Sequence, residues 1–237
     1  MKEVQKDGKQ PVCMTIAGLD PSGGAGIIAD IKTFSAFGCF AAAAISSVTF
    51  QNTTGVFGAI NQTADSIRNQ IEPVLEDYEI GALKTGMLPT REIIEEVARI
   101  ITERSLKNII VDPVVRSTSG FDLIDDKALK ALIEKLFPLA DLVTPNIPEA
   151  ERITGIKIDS PETIEAAGEI MRSLVAKNVL IKGGHLLSAE CGVRSAEFTD
   201  ESQRLKAKDP KATDYLFIGS AMHILEAAFL ETCETHG

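Results

Sequence analysis

The sequence has no pair of cysteines at C-x-x-C spacing. Its four cysteines, Cys13, Cys39, Cys191 and Cys233, stand far apart. They fit free thiols in a cytoplasmic protein better than a disulfide framework or a zinc site. The three histidines, His185, His223 and His236, show no metal-ligand spacing. No apolar run reaches the roughly 20 residues of a membrane span. Met1 to Gln10 are charged and polar, so no secretory leader is expected there. Basic charge is also short: 24 Lys and Arg against 34 Asp and Glu give a net charge of −10. That balance argues against general nucleic-acid binding, which wants a basic face, although a local basic pocket for a phosphate is compatible with it. There is no internal repeat, low-complexity tract or linker.

What is present fits one α/β domain. The chain has 237 residues, 44% hydrophobic and 24% charged, enough for one substantial core. The apolar run Val12 to Ala17 reads as a buried strand. It meets Gly18-Leu-Asp-Pro-Ser-Gly-Gly-Ala-Gly26, and Ile27 to Phe37 then reads as a helix. Glycines in such a turn let the backbone approach a ligand, and free N–H groups of the first helical turn are expected to face it. A plain βα turn without a ligand fits the same residues. The turn is not a P-loop, for no Gly-Lys-Ser/Thr follows, and its glycines do not spell G-x-G-x-x-G.

Strand and helix signals then alternate. Cys39 to Phe50 reads as a strand that meets a turn at Gln51, and Val56 to Ile60 as a short second strand beside it. Thr63 to Tyr78 predicts a helix with Ile67, Ile71, Val74 and Leu75 on one face, capped by Thr63 or Asp65. Ile80 to Lys84 is a strand running into Gly86-Met87. Thr90 to Arg104 is an amphipathic helix with Ile93, Ile94, Val97, Ile100 and Ile101 inward. Asn108 to Val111 is a strand ending at Asp112-Pro113, and Asp125 to Phe137 a helix. After Leu142 to Thr144, a short helix opens around Pro148. Pro161 to Ala176 is a helix and Val179 to Lys182 a strand ending in Gly183-Gly184. Leu187 to Thr213 breaks the rhythm and reads as a surface insertion. Asp214 to Leu225 reads as a hairpin. This alternation predicts a mostly parallel sheet with helices on both faces, and the strands' carboxyl-end loops nominate one shared site.

Taken together, the motifs are identified by resemblance. Ala17-Gly-x-Asp-Pro-Ser-Gly-Gly-Ala-Gly-Ile27 with Asp30, Gln51-Asn-Thr, Gly86-Met-Leu, Asp112-Pro-Val with Ser119-Gly120, Thr144-Pro-Asn-x-Pro-Glu149 and Lys182-Gly-Gly-His185 resemble, in order and spacing, the hydroxymethylpyrimidine and phosphomethylpyrimidine kinases of thiamine biosynthesis. The resemblance runs from about Met14 to Gly237 and implies a three-layer ribokinase-like α/β fold. It implies a single kinase domain over 1–237 with the insertion at 187–213. It also implies ATP and Mg²⁺ as cofactors, a small pyrimidine as substrate and a homodimer, with no nucleic-acid or membrane partner.

By the same resemblance, Gly18, Ala25, Gln51, Met87 and Val114 would surround the pyrimidine, with Asp30 acting less directly on its hydroxymethyl or phosphate region. Asp112 and Glu149 would hold Mg²⁺. Asp112, Asn146, Glu149, Lys182 and Thr235 would serve the nucleotide. Plainer roles remain open at each position. Asp112 could end a strand, Asn146 and Glu149 could cap a helix, Lys182 could be a solvated strand end, Met87 could be packing, and Gln51 could be a turn residue. Cys13 and Cys39 read as core thiols and His185 as structural.

Three departures from the family pattern stand out. The 187–213 stretch is longer than in relatives. Arg116 replaces a usual apolar residue. Thr232 to Gly237 matches only the start of the family's anion-hole loop, so Gly237 is expected to open that loop and the catalytic cysteine and terminal helices to lie beyond it. Loss of such donors costs on the order of 100- to 1,000-fold in rate. A shortened chain, a protein completed by a second chain, and a non-catalytic pyrimidine-binding protein each fit this ending. Pyridoxal kinase is the alternative activity, since fold and substrate shape are close.

Overall fold

The computed structural model describes residues 10–52, 54–115, 123–174, 177–183 and 211–228. Apolar, β-branched runs set between amphipathic segments fold as expected into alternating strands and helices. In order they are β1 (Val12–Leu19), α1 (Gly26–Ala36), β2 (Phe40–Asn52), β3 (Gly55–Asn61), α2 (Ala64–Asp77), β4 (Ile80–Thr85), α3 (Arg91–Glu103), β5 (Ile109–Val111), α4 (Asp126–Ala131), β6 (Leu142–Val143), α5 (Ile147–Thr154), α6 (Pro161–Ser173), β7 (Asn178–Lys182), β8 (Lys211–Ile218) and β9 (Ala221–Ala228). They make one sheet in the order β3-β2-β1-β4-β5-β6-β7-β8-β9. The strands from β2 across to β7 run parallel. Hairpin partners β3, β8 and β9 are antiparallel.

Strand periodicity divides the two faces of the sheet. Met14 and Ile16 of β1, Leu83 of β4, and Ile109 and Val111 of β5 join one apolar core with Ile67 and Ile71 of α2 and Ile93, Ile94, Val97, Ile100 and Ile101 of α3. Thr15 and Lys84, the register partners between these positions, instead meet Asp30 of α1. Caps fix the helix starts: Thr63, not Asp65, accepts from Ser66 N, Thr90 accepts from Ile93 N, and Asp125 accepts from Ala128 N.

Three expectations need correction. Gln51 lies inside β2, opposite Val56 of β3, at a register shift rather than in a turn. The helix from Asp125 stays α-helical only to Ala131, widens over Leu132–Leu136 and closes as a tight turn at Phe137–Leu139, where Pro138 has no N–H to continue the ladder. The stretch read as an insertion gives up its last three residues, 211–213, to β8, where Thr213 pairs with Glu226 and is buried. The rest of it, at 187–210, lies outside the described residues.

Candidate functional site

Strand order across the sheet reverses beside β1: β2 lies on one side and β4 on the other, both parallel to it. The carboxyl end of a strand at such a switch point is where open α/β sheets take ligands. The glycine turn stands there. Gly26 has φ +56°, and a Cβ on it would lie 2.2 Å from the Gly18 carbonyl oxygen, so only glycine fits. A Cβ on Gly18 would lie 3.2 Å from Met87 Sδ. The turn is folded around the carboxylate of Asp20, which is 3% exposed. That carboxylate accepts from Ser22 N and Oγ, Gly24 N and Ala25 N at 2.7–3.0 Å. Burial pushes the Asp20 carboxyl up, but these bonds outweigh it and hold the group below its ordinary value. The amides of Ser22, Gly24 and Ala25 are therefore committed to Asp20, so amides offered to a ligand belong to the first turn of α1 itself.

The other strand ends are laced to this turn. Gly86 N donates to Ile16 O at 2.9 Å, and Ser46 Oγ donates to Met87 O at 2.5 Å, so buried Met87 is fixed beside Gly18. Thr49 Oγ1 lies 2.9 Å from Leu19 O and 2.8 Å from Gln51 Oε1, which ties Gln51 to the end of β1. Asp112 N donates to Thr85 O, Thr144 N to Val111 O and Lys182 N to Pro145 O. Each strand end thus hands the site to the next. Ala25 is the N-cap residue of α1. Half-buried Val114 follows Asp112, its N–H donating to Asp112 O at 2.9 Å.

Charge is concentrated here. Lys182 Nζ lies 3.0 Å from Asp112 Oδ1, which also accepts from Thr144 Oγ1 at 3.3 Å. Lys84 Nζ lies 2.9 and 3.0 Å from the two oxygens of Asp30 and 3.9 Å from Asp112 Oδ2. Asn146 and Glu149 form a reciprocal capping box at the start of α5: Asn146 N donates to Glu149 Oε2 at 2.8 Å and Glu149 N to Asn146 Oδ1 at 2.9 Å. Glu149 is 3% exposed. Burial pushes its carboxyl up to about 7, with the Asp112 charge adding to the rise. Among the described residues no cluster of three His, Cys, Asp or Glu is placed to hold a metal. The carboxylates of Asp112 and Glu149 nevertheless fit a hard divalent ion that keeps most of its waters.

Gly18, Asp30, Met87, Asp112, Asn146, Glu149 and Lys182 thus gather at adjacent strand ends, with Gln51 tied to them through Thr49. Gly184 and His185, which end the motif that begins at Lys182, lie outside the described residues, as do Arg116, Ser119, Gly120, Thr235 and Gly237. Lys84, Thr49 and the roles of Asp20 and Thr144 were not singled out in the sequence. A lysine in an otherwise apolar strand was the available signal. The groove of about 480 Å³ lined by Glu95, Arg99, Glu103, Lys135 and Leu139 lies elsewhere, between α3 and the 132–139 segment. Its Arg99 is already paired with Glu96 and Glu103, and Glu95 with Arg91, so it lacks the free convergent polar groups of a ligand site.

Known proteins resemble this chain in sequence and in fold. The family described as phosphomethylpyrimidine kinase matches residues 20–237. The hydroxymethylpyrimidine/phosphomethylpyrimidine kinase of Bacillus subtilis is 41% identical over 224 residues, which cover 94% of this chain and 75% of that protein. The crystal structure of a phosphomethylpyrimidine kinase from Clostridium difficile superposes with a TM-score of 0.75 at 40% identity, covering 92% of this chain and 85% of that one. The ADP complex of Bacillus subtilis pyridoxal kinase gives 0.76 at 31% identity, covering 95% and 77%. The mostly parallel α/β sheet agrees with these matches, and the chain belongs to the phosphomethylpyrimidine kinase family of phosphotransferases.

Proposed function

We propose that the protein transfers the γ-phosphoryl group of ATP to the hydroxymethyl group of 4-amino-5-hydroxymethyl-2-methylpyrimidine and then phosphorylates the resulting monophosphate. The observation that carries this reading is that the apolar contact of Met87 with Gly18 and a charged cluster in which Asp112 faces Lys182 and Lys84 lie at the same end of the sheet. Gly18, Ala25, Gln51, Met87 and Val114 bind the ring, with the Gln51 amide on its edge. Lys182 attracts the phosphates. Asp112 and Glu149 are the residues that would hold Mg²⁺, which when bound neutralises charge on the phosphates. Asn146 keeps Glu149 in place through the capping box, Thr235 serves the nucleotide, and Gly237 opens the anion-hole loop. Phosphoryl transfer asks the protein mainly for such positioning and electrostatic support.

Pyridoxal is the competing substrate, favoured by the likeness to pyridoxal kinase. The test is ADP release with Mg-ATP and each substrate in parallel. A higher kcat/KM for the pyrimidine supports the reading, and a higher one for pyridoxal overturns it. A cytoplasmic homodimer completes the proposal. Cys13 and Cys39 are free thiols, and among the described residues no helix is long and apolar enough to cross a membrane. Sedimentation tests the dimer.

A further inference from the structure

Lys84 has no role of its own in the reading above beyond its place in the charged cluster, yet it is the most connected cation of the site. It stands one residue before the end of strand β4, with its Cα opposite Thr15 on one side and Ile110 on the other. A lysine at such a position is retained when its charge is matched. Asp30 matches it with both oxygens, at 2.9 and 3.0 Å. Thr15 Oγ1 donates to Asp30 Oδ2 at 2.6 Å and fixes that carboxylate in turn. The ammonium lies farther from Asp112, at 3.9 Å from Oδ2, while Lys182 is 3.0 Å from Oδ1. The two oxygens of Asp112 therefore face different lysines, and the lysine on Oδ2 is itself anchored from α1, the helix that begins at the glycine turn.

We propose that Lys84 is a positioning residue for phosphoryl transfer: held by Asp30 and Thr15, it fixes the orientation of Asp112, and through Asp112 that of Lys182. The series Asp30–Lys84–Asp112–Lys182 runs from α1 past the ends of β4 and β5 to β7 and joins the pyrimidine side of the site to the phosphate side. Asp30 acts here as the anchor of Lys84, its acceptor oxygens engaged by Thr15 and the ammonium. The inference rests on the kinase reading above.

The test compares Lys84→Met and Lys84→Arg with the wild type in steady-state turnover and in calorimetric binding of the pyrimidine without nucleotide. For Lys84→Met we expect kcat to fall about 10- to 100-fold while KM and Kd for the pyrimidine stay within about threefold. Lys84→Arg, which keeps the charge, should recover most of kcat. Unchanged kcat in a folded Lys84→Met, or a loss carried by Kd alone, overturns the proposal. Should Lys84→Met fail to fold, Asp30→Asn releases the ammonium without removing it and should lower kcat in the same way; unchanged kcat there overturns the proposal equally. A wild type without turnover on either substrate counts against the kinase reading. Lys84 is then judged by a double-mutant cycle of Lys84→Met with Asp112→Asn in thermal unfolding. Coupled effects support its hold on Asp112, and additive effects overturn it.

Discussion

The Met87 sulfur lies against the bare face of Gly18, 3.2 Å from where a Cβ on that glycine would stand. The contact is with the flexible end of a side chain, so Gly18→Ala should cost the fold little, under about 1 kcal/mol, by shifting the thioether. The displaced sulfur intrudes on the proposed ring slot, and the Kd for the pyrimidine should rise about tenfold. Thermal unfolding and calorimetry on the same variant separate the two effects.

Gly26 makes the opposite case. An added Cβ would meet the backbone oxygen of Gly18 at 2.2 Å, and φ is +56°, so neither a rotamer change nor a small shift relieves the strain. Gly26→Ala should destabilise the protein by about 2 kcal/mol or more. Chemical denaturation checks this, and a variant as stable as the wild type contradicts the turn geometry.

Asp20 organises the turn without being offered to a ligand. In Asp20→Ala the amides of Ser22, Gly24 and Ala25 lose their acceptor. Their hydrogen exchange should accelerate, with a stability loss of about 1–3 kcal/mol. Exchange unchanged at these three amides would mean that another group holds the turn.

Two buried carboxyls bend the pH dependence of stability in opposite senses. The Glu149 carboxyl, pushed from 4.5 up to about 7 by burial, binds more proton in the folded state. Its contribution is full below about pH 4.5 and is lost as pH rises through 7, up to about 3 kcal/mol. Glu96 is held at about 2 by hydrogen bonds from Arg99 and Arg68. Its contribution is present above about pH 4.5 and is lost as pH falls toward 2. Denaturation of the apo protein across pH should therefore show a decline above pH 5 that Glu149→Gln removes. A decline that persists in Glu149→Gln assigns it to another group.

Asp112 should tolerate substitution in the fold but not in the chemistry. Asp112→Asn leaves Lys182 and Lys84 without their shared carboxylate. Turnover should fall by about 100-fold or more with little change in pyrimidine affinity, measured by ADP release beside calorimetry.

The sequence made the main elements readable because their signals are local. The isoleucine stripe of α3, the alternation of strands and helices, and the glycine turn after β1 each announce themselves within a dozen residues. The same signals put Asp112 and Lys182 at strand ends and Asn146 and Glu149 at the opening of a helix, where the structure has them. What escaped was non-local or irregular. Lys84 and Asp30 are 54 positions apart, and neither residue signals the other. Gln51 looked like a turn because Asn52 and Gly55 follow it, yet pairing with β3 carries the strand through it. The helix after Asp125 loses its α-helical regularity from Leu132 onward and closes at Pro138, a breaker visible in the sequence just past the expected end. The charged residues before Asp214 masked only the first three residues of the strand that pairs with β9.

The central claim is that these strand ends form a pyrimidine site, and calorimetric titration of the 237-residue chain with 4-amino-5-hydroxymethyl-2-methylpyrimidine tests it most directly. Saturable binding by the wild type is expected, with binding weakened by about tenfold or more in Met87→Ala, which removes the thioether beside Gly18. A folded wild-type chain that binds no pyrimidine, or a Met87→Ala variant that binds as tightly as the wild type, would contradict it.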